Sequence, residues 1–489
     1  MLLACQLACQ LNMTAQMGNR PRAASIHILD DDSLLHVFYL YRPFLLGEED
    51  DYYARFEGGR AQWVRGRWWY RLAHVCQRWR YIILGSASYL GISLICTRGT
   101  PVADMVTHSP PLPLVIDYFL QYHDISAEDG EQIIHALRHR GRVSRIRLNA
   151  RQQRLIMAMD DEYSNLKYLI VVPPKDESGI LIFPETLQAP QLCHLTLAGF
   201  SLPIKSRLLT SAVGLVTLCL FMRHSSTYFH PNTLFQWISI MPQLETLVIR
   251  FSHPDDQHDV ERLLMLTPIT TPVTLPNLQY FKFDGDSTYS EALVRRIAAP
   301  RLEKLSIFFK QLIFLVPHLQ QLMNTTYTTE NLRFDSARFV FMNERVCVVL
   351  YLREVQMVTI GVECWHLDWQ VSSMTHISNS LSQVFSAVEH LAFEHVTHHQ
   401  SSEEHNEVDR TKWRELLRPF NGVKTLRIAG GLVGELSRSL QSEDGEFPLE
   451  LLSELQELTF PREDNNDDAF TSFINSHEDA GRTVTLVRS

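Results

Sequence analysis

Along most of the chain the apolar residues recur as apolar-x-x-apolar-x-apolar. The triplets are Val143-Ile146-Leu148, Leu166-Leu169-Val171, Leu192-Leu195-Leu197, Leu215-Leu218-Leu220, Leu244-Leu247-Ile249, Leu278-Phe281-Phe283 and Leu302-Leu305-Ile307. Four more follow at Val355-Val358-Ile360, Val388-Leu391-Phe393, Val423-Leu426-Ile428 and Leu455-Leu458-Phe460. The last two apolar positions of each triplet alternate, as on a strand with one face buried, and the residue between them points to the other face. Successive triplets lie about 23 to 35 residues apart, long enough for a strand and a returning helix or loop. Helices are expected at 289–298 and 411–417, and the wide gap between Leu302 and Val355 is expected to hide a degenerate unit near Arg338-Phe339-Val340-Phe341.

A different period governs the N-terminal part. Leu34, Leu35, Phe38 and Tyr41 fall at helical spacing behind three carboxylates, Asp30, Asp31 and Asp32, and Pro43 marks the end of that helix. Trp69, Leu72, Cys76, Trp79 and Ile83 repeat at steps of three and four, with Gly85 as a terminator. Between the two periods, the prolines at 101, 110, 111 and 113 predict a stiff joint over 91–113. The first strand is expected at Leu114-Val115-Ile116-Asp117. A helical unit of about sixty residues has too small an interior to hide all of its apolar side chains, so some must meet a partner or the next domain.

The order acidic start, Leu34-Leu35-x-x-Phe38, then Leu72-x-x-Val75-Cys76-x-x-Trp79-Arg80 resembles the F-box, particularly that of the large fungal families. The resemblance covers 26–90. It departs from the family where the Leu-Pro pair is Leu29-Asp30 and where 43–67 forms an acidic-to-basic insertion. It implies docking onto the Skp adaptor, and through it a cullin, by Leu29, Leu34, Leu35, Phe38, Val75, Cys76 and Trp79. The triplets, with flanks such as Ala189-Pro190-Gln191-Leu192 and Leu275-Pro276-Asn277-Leu278, resemble the leucine-rich repeat, whose stacked units bury their apolar faces against one another. The laddering Asn or Cys of the regular family is replaced by Phe200, Arg223, Ser252, Asp286 and Lys310, so the repeat is divergent. The fold expected from both is an α/β repeat protein: a disordered tail over 1–25, a small three-helix F-box-like module, the joint, and an irregular leucine-rich-repeat solenoid over 114–489. An unrelated α/β domain with several buried strands is the alternative architecture.

Charge and chemistry narrow the function. Against 45 Lys and Arg stand 55 Asp and Glu, a net charge of -10, which disfavours bulk attraction to nucleic acid. The cluster Arg60, Arg65, Arg67, Arg71, Arg78 and Arg80 reads as a solvated helix face. The acidic stretches 401–409 and 463–468 read as surface loops. The eight cysteines include no Cys-x-x-Cys pair and read as reduced thiols. The histidines at 395, 398, 399 and 405, and Cys364 with His366, form no tetrahedral ligand set. No apolar run reaches membrane-spanning length, and no phosphate loop, nucleophile elbow, zinc-protease or dinucleotide motif occurs. No metal, cofactor, nucleic acid or membrane is therefore expected, nor any catalytic residue, and the expected location is cytoplasmic, nuclear or both.

These features point to a non-catalytic substrate receptor of a Skp-cullin-F-box ubiquitin ligase. Its protein substrate would meet the concave sheet at Arg147, Thr196, Val248, Lys282, Ser306 and Arg427, with Cys219, Thr359, Ala392 and Thr459 in the same between-apolar position. Two rivals stand beside it. One is a scaffold whose F-box-like helices cap the solenoid, since terminal repeats need caps; the other is an enzyme with an unrecognised site.

Overall fold

The computed structural model describes residues 29–42, 68–119, 125–149, 153–172, 181–203, 205–222, 229–251, 272–310, 317–327, 333–396, 409–429, 431–441, 451–461 and 469–488. The expected tail over 1–25, the 43–67 insertion, the 463–468 loop, residues 401–408, and Cys5, Cys9, Arg223, Ser252, His398, His399 and His405 lie outside them.

Four short helices come first: α1 (Asp31–Tyr41), α2 (Trp68–Ala73), α3 (Gln77–Gly85) and α4 (Ala87–Leu90). The Asp30 side chain caps α1 by accepting from the Ser33 amide at 2.7 Å, which satisfies one of the first-turn donors a helix leaves open. The helix expected to run through Trp69 and Trp79 is instead broken in two. Cys76 is extended (φ -158°, ψ 170°) at the start of α3, so helical spacing continues across a turn that the periodicity does not register.

After α4 the described residues form one large sheet of sixteen strands, beside two small two-stranded sheets. Across it lie Leu94–Cys96, Leu114–Tyr118, Val143–Leu148, Tyr168–Val171, His194–Ala198, Thr217–Met222, Thr246–Phe251, Tyr280–Gly285 and Lys304–Phe309. The order continues through Val355–Glu363, Arg345–Leu352, Ser336–Met342, His390–Val396, Thr425–Ala429, Glu457–Phe460 and Thr485–Arg488. The molecule is thus a mixed α/β protein with a large, mostly parallel sheet and, among the described residues, sixteen α-helices. The sheet does not close into a barrel: Leu94–Cys96 and Thr485–Arg488 form its two edges.

All eleven triplets fall on these strands or the turns leading into them. Register turns the middle apolar position into a continuous row, Ile116, Ile146, Leu169, Leu195, Leu218, Leu247, Phe281, Leu305 and Val358. Each of these is at most 1% exposed. Parallel strands need long crossovers, and helices supply them. The crossover helix Ala127–Leu137 contacts the strand Leu114–Tyr118, and Leu367–Ser380 contacts Arg345–Leu352. Asp286, at an expected ladder position, caps the helix Ser287–Val294 by accepting from the Thr288 and Tyr289 amides. Asp409 caps Arg410–Leu417 in the same way.

Two expectations are corrected. The joint over 91–113 contains the first strand, Leu94–Cys96, paired in parallel with Leu114–Tyr118, and the helix Val102–His108. It is part of the sheet. In the gap between Leu302 and Val355 the unit expected near Arg338–Phe341 is present as the strand Ser336–Met342, but it belongs to an antiparallel meander in which it and Arg345–Leu352 double back before Val355–Glu363. The chain then resumes against the first meander strand, because His390–Val396 pairs in parallel with Ser336–Met342. Arg353 and Glu354 turn the second hairpin at positive φ (50° and 69°), with the Arg353 amide held by Asp335 at 2.8 Å.

Candidate functional site

The N-terminal helices meet through an aromatic interior. Leu34 and Phe38, one turn apart on α1, are buried, and Trp79 of α3 packs edge-on against Phe38 with ring centroids 4.9 Å apart. Trp69 is buried on α2 and stacks on Tyr70 at 4.0 Å. Arg78 fastens the start of α1 to the first turn of α3. Its Nε donates to Asp31 Oδ1 at 2.8 Å and its Nη2 to the Leu29 carbonyl at 2.6 Å. This brings Leu29 to the same end of the helices as Val75 and Cys76, which precede α3. Arg78 is therefore a tether rather than part of a solvated face.

The seven residues expected to dock the adaptor divide by exposure. Leu34 and Phe38 lie in the interior and are not surface positions; Leu35, Cys76 and Trp79 are half-buried; Leu29 (39%) and Val75 (58%) are open. Helical periodicity overlooked a larger apolar surface. Val37, Tyr39, Leu40, Tyr41, Tyr81 and Tyr89 are all exposed, Leu40 to 69% and Tyr81 to 80%. Among the described residues, eight of the sixteen exposed large apolar side chains belong to this short stretch. Scattered exposed apolar side chains are ordinary, but their concentration in one short stretch is not. An open groove of about 430 Å³ runs along the seam between 84–89 and 110–112.

The sheet face carries the other expected residues, and register places them in one line. Arg147, Thr196, Cys219, Val248, Lys282, Ser306 and Thr359 follow one another across adjacent strands, with only Ile170 interposed. Beyond the meander residues Val349 and Arg338 come Ala392, Arg427 and Thr459. Their availability differs. Arg147, Thr196, Cys219, Val248 and Thr359 are buried, Lys282, Ser306, Ala392 and Thr459 half-buried, and Arg427 exposed. Arg147 is committed locally, with its guanidinium 3.2 Å from Asp117 and 5.3 Å from the centre of the Phe119 ring. One row nearer the strand starts, Arg145 lies over Tyr168 at 4.2 Å, and Tyr168 stacks on His194 at 4.3 Å. Burial and the Arg145 charge lower the His194 pKa.

Lys282 is the expected residue with the most distinctive setting. Burial, and then the charges of Arg250 and Arg345, hold its ammonium pKa below the ordinary lysine value, against the pull of Asp284. Arg338, further along the same row, is paired with Glu394 at 2.8 Å and accordingly held more firmly charged.

Two kinds of recognition are thus physically available: apolar contact at the N-terminal helices and polar or ionic contact on the sheet. Among the described residues no group of three or more His, Cys, Asp or Glu side chains is arranged to hold a metal, and no helix is long and apolar enough to cross a membrane. No protein-family model matches the chain, and no curated protein matches it in sequence.

Proposed function

We propose that this protein is a substrate receptor of a Skp-cullin-F-box ubiquitin ligase, non-catalytic itself, with an F-box-like module over 26–90 and a divergent leucine-rich-repeat solenoid behind it. The observation that carries the reading is the concentration of exposed apolar side chains on α1 to α4, on the helices whose sequence resembles the F-box. Leu29 and Val75 are the adaptor contacts, with Leu35, Cys76 and Trp79 flanking them. Asp30, where the family has proline, supports this arrangement by capping α1. The sheet row from Thr196 to Arg427 is the substrate face.

The test is co-purification with the Skp adaptor, comparing wild type with the double variant Leu29→Asp, Val75→Asp. Both positions are open, so the thermal melt stays that of wild type while capture is lost; a buried apolar anchor at an interface contributes about 2 to 4 kcal/mol. Absence of capture by folded wild type, or full capture by the double variant, refutes the reading.

One observation favours the capping scaffold as a second reading. The apolar core is continuous from Leu34 and Phe38 through Ile82, Ile83, Leu90 and Ile92 into Leu94 and the sheet, so the helices also close one end of it. The same experiment separates the two, because a cap has no need of an adaptor.

A further inference from the structure

Near the middle of the sheet the open face changes character. Register sets Val248, Lys282, Ser306, Thr359 and Val349 in one row and Arg250, Asp284, Phe308, Gly361 and Cys347 in the next. Ser306, Thr359 and Gly361 form a low floor. A Cβ on Gly361 would stand 2.5 Å from the Phe308 ring, so the missing side chain lets that ring lie down across the neighbouring strand. Long cationic side chains surround this floor. Arg250 and Lys282 rise on one side, Arg345 on the other, and Lys310 stands at the strand end.

The local carboxylates are spoken for. Arg250 Nε pairs with Asp284 Oδ2 at 2.8 Å, Lys310 lies 3.4 Å from Asp284 Oδ1, and Lys310 donates to Glu363 at 2.5 Å. Among the described residues these are the ion pairs of the basin, and none of them includes Lys282 or Arg345. Lys282 lies within the fields of Arg250 and Arg345, like charges that outweigh the pull of Asp284. Four cations against two carboxylates, in a chain of net charge -10, is a local excess opposite to the global sign. Charge focused in a partly buried recess attracts the complementary ligand more strongly than the same charge in open solvent.

We infer that this basin binds an acidic segment of a partner polypeptide, its carboxylates on Lys282 and Arg345 and an apolar side chain against Phe308. The inference rests on the sheet being the substrate face and narrows the substrate to a class. A peptide suits the basin better than a nucleic acid. The cation excess spans only a few strands, the Phe308 ring beside Gly361 offers an apolar contact, and the rest of the chain is acidic, whereas phosphate tracking needs an extended basic surface.

The test uses the purified full chain without adaptor and a fluorescein-labelled peptide of about twelve residues alternating Glu with Leu, beside its Gln counterpart. Anisotropy titrations are expected to give at least about tenfold tighter binding of the Glu peptide, lost toward about 0.5 M salt. Arg345→Glu, at an exposed hairpin position, weakens binding about tenfold or more, and Lys282→Glu does the same if its melt is retained. Lys167→Glu, exposed elsewhere, leaves it unchanged. Equal binding of the Glu and Gln peptides, indifference to Arg345→Glu, or tighter binding of a single-stranded oligonucleotide overturns the inference. Because adaptor capture is measured separately, failure here leaves the receptor reading standing, and loss of adaptor capture leaves peptide binding intact.

Discussion

The helices between residues 29 and 90 and the sheet that begins at Leu94 treat the same kind of residue in opposite ways. In the sheet, each middle apolar side chain is stacked between equivalents on neighbouring strands, and the row from Ile116 to Val358 is essentially inaccessible. In the helices, a few residues such as Leu34 and Phe38 are buried while Val37, Leu40 and Tyr81 stand in solvent. An extended sheet hides its apolar face by adding neighbours, whereas the small helical unit is covered only where its core runs on into Leu94 and the sheet. The difference teaches where to look for partners: apolar recognition at the helices, and ionic recognition on the sheet.

The largest expected effect lies in the sheet core. Trp413 is fully buried, with its ring 5.6 Å from Phe341 and 6.0 Å from Phe393. Trp413→Ala is expected to cost about 3 to 5 kcal/mol in urea unfolding; a loss below about 1 kcal/mol would show that this half is not tightly packed.

Within α1 the comparison can be made on a single helix. Leu34→Ala should cost about 2 to 5 kcal/mol, and Leu40→Ala, on the same helix and exposed, within about 0.5 kcal/mol. Equal losses would mean that Leu40 is covered within the chain and would dissolve the contrast.

Gly361→Ala should cost about 1 to 3 kcal/mol by overpacking Phe308. Phe308→Ala in the same chain should recover part of that loss, a coupling read from the double-mutant cycle. Additive costs would exclude the ring-over-glycine contact as the cause.

The smallest effect is kinetic. Burial pushes the thiols of Cys347 and Cys364 up to about 11 and about 12. At neutral pH both are therefore protonated and covered, and native-state alkylation should proceed at least about a hundredfold more slowly there than at half-buried Cys76. Comparable rates, read by mass spectrometry of the digested protein, would place those strands in frequent opening.

The sheet was legible where its cause is local. Alternation within each triplet specifies a strand with one buried face, and an apolar residue three positions before the middle one marks its beginning or the turn into it, so eleven strands and the row they share follow from spacing alone. Of the meander only the strand at Ser336–Met342, where a degenerate unit was expected, was legible; its hairpin partner and its turns were not. Val346 to Leu350 is apolar at every position and buried throughout, which erases the alternation, and its turns use Asn343-Glu344 and Arg353-Glu354 with no glycine to announce them. Leu94–Cys96 is too short to show a period. At the helices, spacing identified amphipathic segments but not which of their apolar residues face inward, because Leu34, Val37, Phe38 and Leu40 differ in tertiary neighbours and not in type. Arg78 drew notice only as one of many arginines, since its partners Asp31 and the Leu29 carbonyl are remote in sequence. The cationic basin likewise depends on strands far apart in the chain, joined only by register.

The most direct measurement is hydrogen–deuterium exchange of the full chain with and without a saturating Skp adaptor. The account predicts slowed exchange in 29–42 and 68–90, with the strands from Leu94 onward unchanged; protection on the sheet instead, or no change anywhere, would contradict it.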